Sequence, residues 1–144
     1  MIRRARPADR EGVEALLRAA GLPVDGVADH FASFFVAAHD RGLVAAVGLE
    51  VYGEHALLRS LVVAAEARGS GLGSTLTKRA IDEARSRGVR TAFLLTTTAE
   101  DFFPRFGFQR TARADVPMDV QNSREFQGAC PASAIAMRRE LADG

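Results

Sequence analysis

Arg68-Gly69-Ser70-Gly71-Leu72-Gly73-Ser74 stands between an apolar, strand-like run from Leu57 to Ala64 and a helix-patterned run from Leu72 to about Arg87. The helical run places Leu72, Leu76, Ala80 and Ala84 on one face, and leaves Lys78, Asp82, Glu83 and Arg87 to pair along the other. A glycine-rich turn that opens a helix aims several unpaired backbone N–H groups at one point and lets an anion approach the main chain closely. The heptapeptide therefore reads as a pyrophosphate cradle, against the alternative of a turn that merely joins strand to helix. It matches neither common nucleotide loop. There is no G-x-x-x-x-G-K-[S/T], and Gly69, Gly71 and Gly73 give G-x-G-x-G rather than the dinucleotide spacing.

The segments around it alternate in type. Pro7-Ala8-Asp9 reads as a helix start with Asp9 as N-cap, followed by Val13, Leu16, Leu17 and Ala20 at helical spacing until Gly21. A short second helix is expected near Asp25 to Phe31, then a strand from Phe34 to Ala38 that turns at Asp40-Arg41-Gly42. Leu43 to Tyr52 and His55 to Ala64 form a hairpin over Gly53-Glu54, a Gly-X pair suited to a type II′ turn. That two-residue turn sets Tyr52 opposite His55, Glu50 opposite Leu57 and Gly48 opposite Arg59, so Glu50, Tyr52, His55 and Arg59 share one sheet face. Gly88 ends the long helix and Arg90 to Thr97 returns as a buried strand, which makes a right-handed parallel crossover with the cradle at the carboxyl end of its first strand. Phe102 to Phe108 suggests a short helix breaking into a strand. Arg113 to Val120, a polar loop or single helical turn at Gln121 to Gln127, and a final strand around Ala132 to Leu141 complete the chain.

At 144 residues the chain is the size of one domain, and residues 1–144 are expected to form a single one. Lys plus Arg (19) nearly balance Asp plus Glu (18), so charge offers no argument for a nucleic-acid partner. A single cysteine, Cys130, excludes an internal disulfide framework, and 3 scattered histidines do not make a metal site of ordinary spacing, so no metal is expected. No run approaches the roughly 18 apolar residues of a membrane span, and the basic N-terminus lacks a following apolar region. These features point to a soluble, cytoplasmic protein, monomer or homodimer, with small anionic ligands left open.

Arg68, Gly71 and Gly73 also fit R/Q-x-x-G-x-G/A, which resembles the acetyl-CoA loop of the GNAT acetyltransferase superfamily. A second, separate pattern, F-x-x-x-x-G-F at Phe102, Gly107 and Phe108, is similar to the family's passage from its last helix into its sixth strand. The element order resembles the family over essentially the whole chain. The resemblance implies an α/β fold (a mixed α+β sheet): a central, mostly antiparallel seven-stranded sheet with one parallel strand–helix–strand crossover and helices on both faces. It further implies acetyl-CoA as co-substrate, with the thioester arm between the fourth and fifth strands, polarised by a backbone N–H near Val63 or the neighbouring Val62. The pyrophosphate would lie on Gly69, Ser70, Gly71, Leu72 and Gly73, with Ser74 adding a hydroxyl and Arg68 a charge. The stretches Ser123 to Phe126, Cys130 to Ser133, Leu57 to Leu61 and Leu95 to Thr98 resemble the branch of the family associated with arsenic resistance. That likeness implies acetylation of a small toxic amine, such as an amino-acid-like arsenical or phosphinic antimetabolite.

Acetyl transfer needs a held thioester, a neutral amine and donors for the developing oxyanion. Many family members carry a tyrosine as thiolate acid where this chain has Phe103, so that acid is absent here. Tyr52, Thr96, Thr97, water or Cys130 could replace it, or the thiolate could leave unassisted. Glu50, a carboxylate interrupting the apolar run Val47 to Val51, is the candidate base, with an ion pair to Arg59 as the alternative. Arg59 is the candidate anion clamp, with Tyr52 and Thr97 beside it as substrate contacts; His55, at the turn, reads as solvated and Cys130 as packing. The leading expectation is N-acetylation of a small, anionic amino-acid-like amine by direct attack in a ternary complex. A non-catalytic acyl-CoA-binding module and a protein N-terminal acetyltransferase are the alternatives.

Overall fold

The computed structural model describes residues 1–40 and 42–141; Arg41, in the turn expected at Asp40-Arg41-Gly42, lies outside them. Seven strands form one sheet: β1 (Ile2–Arg4), β2 (Phe34–His39), β3 (Gly42–Tyr52), β4 (His55–Val63), β5 (Thr91–Thr96), β6 (Gln109–Arg110) and β7 (Ile135–Glu140). Their order is β1-β2-β3-β4-β5-β7-β6, with β4 and β5 parallel and every other pair antiparallel. The helices are α1 (Arg10–Ala19), α2 (Val27–His30), α3 (Leu72–Ser86) and α4 (Met118–Gln121).

Period-two alternation divides the core between the faces of the sheet. Phe35, Val47, Leu49, Leu58 and Leu94 pack with Leu76, Ala80 and Ala84 of α3. Phe34, Val36, Ala46 and Val62 point the other way, onto Val13 and Leu17 of α1 and Val27 of α2. Leu57, Phe93 and Ala136 are covered by Val116 and by Val120 of α4.

The β3–β4 register is Tyr52↔His55, Glu50↔Leu57 and Gly48↔Arg59, as the turn length requires. Gly53 takes φ +62°, and Ser60 is the only non-glycine among the described residues with a positive φ, so Glu54 does not. That combination suits a II′ turn and excludes I′. Beyond Gly48 the ladder slips: Val47 alone on β3 faces Ser60 and Leu61 on β4 before pairing resumes at Ala46↔Val62. This is a β-bulge, with Ser60 at φ +60°. The parallel pairing of β4 with β5 covers only His55 to Leu57 against Thr91 to Phe93, so past Phe93 the two strands part.

Several boundaries differ from the sequence reading. Asp9 caps no α1 N–H; its carboxylate instead accepts from the Arg6 N–H at 2.7 Å and from the Arg3 guanidinium. The second helix is one turn, because it starts after Gly26 at φ +80°. The last strand begins at Ile135, not Ala132: Ala134 N–H bonds back to Pro131, and Arg113 takes the Pro131 and Ala134 carbonyls, which folds that stretch into a turn.

Candidate functional site

The cradle is a backbone surface. Gly69 and Gly71 take φ +84° and +83°, and a Cβ at either would meet nothing within 4 Å. The glycines are thus required by backbone conformation, and the space over them is open. Thr75 is the first residue of α3 to donate a helical N–H, to the Gly71 carbonyl at 3.0 Å, which leaves the preceding N–H groups for a ligand. Arg68 has a structural role as well: its Nε donates to the Val63 carbonyl at 3.1 Å and ties the loop to the end of β4. Ser70 Oγ donates to Ala67 at 2.6 Å and closes the turn. Leu72 and Ser74 line the hollow with Gly73, Val63 and Phe102.

A second hollow, a cleft of about 200 Å³, opens where β4 and β5 part. Its walls include Arg59, Ser60 and Leu61 of β4, Thr96 and Thr97 at the end of β5, and Phe103. The two hollows adjoin: on β4, Leu61 faces one and Val63 the other, and Phe102 and Phe103 divide in the same way. Ala64 N–H donates to Val44 on β3 at 2.7 Å. By strand alternation the Val63 N–H points to the opposite edge, toward the gap left by β5, whereas that of Val62 points to β3. Val62 itself packs under α1 and α2.

Beneath the cleft lies a buried ionic cluster. Arg59 donates from Nη1 to Glu50 Oε2 at 2.7 Å and to the Asp25 carbonyl at 2.6 Å. It also donates from Nε to Ser60 Oγ at 2.9 Å and from Nη2 to the Pro23 carbonyl at 3.3 Å. Four of its five N–H groups are thereby used inside the protein, so Arg59 presents no fork for a bidentate clamp. Glu50, 1% exposed, is not part of the cleft wall. Its Oε1 accepts the Tyr52 hydroxyl, and His30 Nε2 stands 3.5 Å away. Burial and the hydrogen bond to Glu50 hold the Tyr52 phenol well above its usual range, so this hydroxyl is tied up as a donor. His55, which shares this sheet face and reads from the sequence as solvated, is partly exposed and paired with Asp119 at 3.0 Å. His30 joins the cluster from α2, edge-on to Tyr52.

Thr97 is exposed on the cleft rim, while Thr96 is buried with its Oγ1 accepting the Ala99 N–H at 2.9 Å. Phe103 is buried in the cleft wall and offers no proton. Cys130 lies in the wall too, ahead of β7 rather than within it. Burial, then the Glu125 carboxylate beside it, push its thiol up to about 12, which removes it as an acid or nucleophile near neutral pH.

Glu125 was not among the site residues expected from the sequence. It begins a tight turn, Glu125–Ala129, closed by Ala129 N–H to Arg124 at 3.0 Å and Cys130 N–H to Glu125 at 3.2 Å. The turn carries its carboxylate into the cleft wall, 4% exposed, with Oε2 3.5 Å from Arg59 Nε. Burial raises its pKa to about 7, Glu50 adds to the rise, and Arg59 opposes it. No periodicity in residues 121–127 marks which side faces inward, so the resemblance pattern through Ser123 to Phe126 was the one available signal.

Among the described residues no group of three or more His, Cys, Asp or Glu could hold a metal ion, and no helix is long and apolar enough to cross a membrane.

A family model for the acetyltransferase (GNAT) domain matches residues 30–110, more than half of the chain. The chain belongs to the GNAT acetyltransferase family. The match takes in the β2–β4 sheet, the cradle, α3 and β5, and so contains the cradle and the β4 and β5 walls of the cleft, while Glu125 and Cys130 of the cleft lie beyond it. An amino-acid acetyltransferase of Neisseria meningitidis is 28% identical over 127 residues, covering 81% of this chain and 29% of that protein. The chain thus spans under a third of the length of that relative. Among solved structures, N-acetylglutamate synthase from Neisseria gonorrhoeae, complexed with coenzyme A and N-acetyl-glutamate, superimposes with a TM-score of 0.84 at 24% identity over 99% of this chain and 35% of that one. Rv2747 from Mycobacterium tuberculosis, solved with CoA, gives 0.82 at 22% identity over 99% of both chains. At these identities the likeness is one of GNAT fold.

Proposed function

We propose that this protein transfers the acetyl group of acetyl-CoA to the amine of a small, amino-acid-like molecule by direct attack in a ternary complex. The observation that carries the reading is the adjacency of the two hollows: an open backbone cradle at the N-terminus of α3 is walled by Val63 and Phe102, and the gap between β4 and β5 by their near neighbours Leu61 and Phe103. The residues fit the co-substrate. Gly69, Gly71 and Gly73 leave room for a pyrophosphate against the main chain, Leu72 and Ser74 contribute first-turn N–H groups, and the Val63 N–H is free to polarise a thioester carbonyl. CoA, when bound, supplies the activated acetyl group. The family assignment supports this chemistry, and relatives named as amino-acid acetyltransferases favour an amino-acid-like acceptor.

Arg59 serves this reading as a fixed positive charge under the cleft, with one remaining Nη2 N–H for a substrate carboxylate. Glu50 and Tyr52 hold it there, and Thr97 reaches the acceptor from the rim. The likeness to the arsenic-associated branch makes phosphinic and arsenical amino-acid analogues the acceptors to test beside glutamate and other ordinary amino acids.

Calorimetry with acetyl-CoA and release of CoA thiol with that amine panel test the proposal together. Gly73→Val is the informative variant: its φ is ordinary and an added Cβ meets only Phe102 and Val63 at 3.7 and 3.8 Å, so the fold should stand while the branched side chain crowds the cradle. Affinity for acetyl-CoA should fall at least tenfold, about 1.4 kcal/mol. Unchanged affinity in the folded variant removes the cradle assignment. Binding without turnover on any amine supports a non-catalytic acyl-CoA module, as Phe103 in place of a tyrosine would allow.

A further inference from the structure

Two carboxylates flank the single buried guanidinium of this site, and they are not equivalent. Glu50 has both oxygens engaged, Oε1 by the Tyr52 hydroxyl and Oε2 by Arg59, and it lies behind the cleft wall. Glu125 belongs to the wall, and Arg59 Nε approaches it only to 3.5 Å while donating to Ser60 Oγ at 2.9 Å. Although Glu125 is 4% exposed, no buried side-chain oxygen or nitrogen among the described residues lacks a hydrogen-bond partner. Within the described residues its side-chain partners are the Cys130 thiol, which donates to it, and Arg59 Nε at 3.5 Å, and the residue lines the cleft into which Glu50 does not reach. We propose that Glu125, and not Glu50, is the proton acceptor for the substrate ammonium, with Arg59 and Glu50 as the positioning pair that fixes it. This rests on the acetyltransferase reading of the site.

In the step so assigned, the ammonium passes one proton to a Glu125 oxygen, directly or through one water, and becomes a neutral amine. Its lone pair forms the C–N bond at the thioester carbonyl, and the C–S bond breaks. The second nitrogen proton goes through solvent to the departing thiolate, and Glu125 returns its own to bulk water. Overall, ammonium and acetyl thioester give amide, thiol and one proton, which balances without any further reactant.

The groups around Glu125 suit the task. Arg59 and Glu50 face it from the β3–β4 hairpin, Asp25 from the segment before α2, and Cys130 from its own turn. One fixed cation against two carboxylates leaves the second carboxylate readily protonated, and a raised value of about 7 places it where a general base works best near neutral pH. The sharing also explains why Glu50 is a poor base: a proton arriving there would displace Tyr52 or Arg59.

The experiment combines activity with direct titration. In wild-type protein, ¹³C-carboxyl NMR should show one glutamate titrating near pH 7, absent from Glu125→Gln, and kcat/KM should fall below that pH. Glu125→Gln should lose about 10²–10⁴-fold in kcat at neutral pH, keep acetyl-CoA affinity by calorimetry, and recover as pH rises toward the amine's own pKa. Glu50→Gln should keep a single acidic limb in the pH profile but move it to lower pH, because a charge that raises Glu125 is gone. The assignment is overturned if folded Glu125→Gln keeps wild-type kcat/KM from pH 6 to 9, or if the Glu125 carboxyl titrates below 5. If wild-type protein binds acetyl-CoA but acetylates no amine, this proposal and the acetyltransferase reading fall together. If it acetylates and only the Glu125 variant is indifferent, Glu125 alone is rejected.

Discussion

Arg59 Nη1 meets Glu50 Oε2 at 2.7 Å with the two side chains 0% and 1% exposed, so the pair shares one set of polar partners and almost no solvent. Removing one member of such a pair strands the other charge. Glu50→Ala should cost about 3–5 kcal/mol of unfolding free energy, and Glu50→Gln, which keeps an acceptor, less than that. Chemical denaturation measures both. A loss under about 1 kcal/mol for the alanine variant would mean that water replaces the carboxylate beside Arg59.

Phe34 lies across Gly48 on the neighbouring strand, and a Cβ on Gly48 would come within 2.3 to 2.6 Å of three Phe34 ring carbons. Gly48→Ala should therefore destabilise by about 1–3 kcal/mol through overpacking, although alanine suits a strand better than glycine. Phe34→Leu in the same chain should recover part of the loss. A double-mutant cycle with no coupling between the two positions would refute the contact as the cause.

Glu125 should leave a mark on stability that is opposite to that of a salt-bridged carboxylate. Its folded pKa is raised from 4.5 to about 7, so between those values the folded state holds more of its proton than the unfolded state. Stability should fall as pH rises from about 4.5 to 7 and then level off, a contribution on the order of 3 kcal/mol. Glu125→Gln should flatten this slope. Parallel pH profiles of wild type and variant in equilibrium unfolding would contradict it.

Cys130 should resist alkylation in the native protein. At pH 8 a thiol near 12 has about 10³-fold less thiolate than one at the ordinary 9.0. Iodoacetamide should thus label the native chain on the order of 10³ times more slowly than the denatured chain. Equal rates would show that the turn at Glu125–Ala129 opens readily.

Asp9 should report on the N-terminal strand. Arg3, through a hydrogen bond at 2.7 Å and its charge, holds the Asp9 carboxyl below its ordinary 3.8. Its contribution is present above 3.8 and disappears as pH falls through the lower folded value. Asp9→Asn should narrow the acid-unfolding difference between variant and wild type as pH drops below 3.8. A gap that persists into strong acid would point to a role other than charge.

The sequence by itself determined what depends on neighbours along the chain. The two-residue Gly53-Glu54 turn carried the pairing of Tyr52, Glu50 and Gly48 onto β4, because side chains alternate with period two and the turn admits one register. The spacing of Leu76, Ala80 and Ala84 fixed α3, and the glycines ahead of it marked the cradle, because φ > 0 is a local demand that glycine meets at low cost. Only the tertiary structure decided how the charged groups are shared. Asp25 with His30, Arg59 and Glu125 come from three separate segments, and neither the bulge at Ser60 nor the turn at Glu125 follows a repeating pattern. Which carboxylate is saturated and which opens to the cleft depends on burial and on distances across the fold. Those quantities are set by packing, since a charge's environment is made by whatever the chain brings next to it.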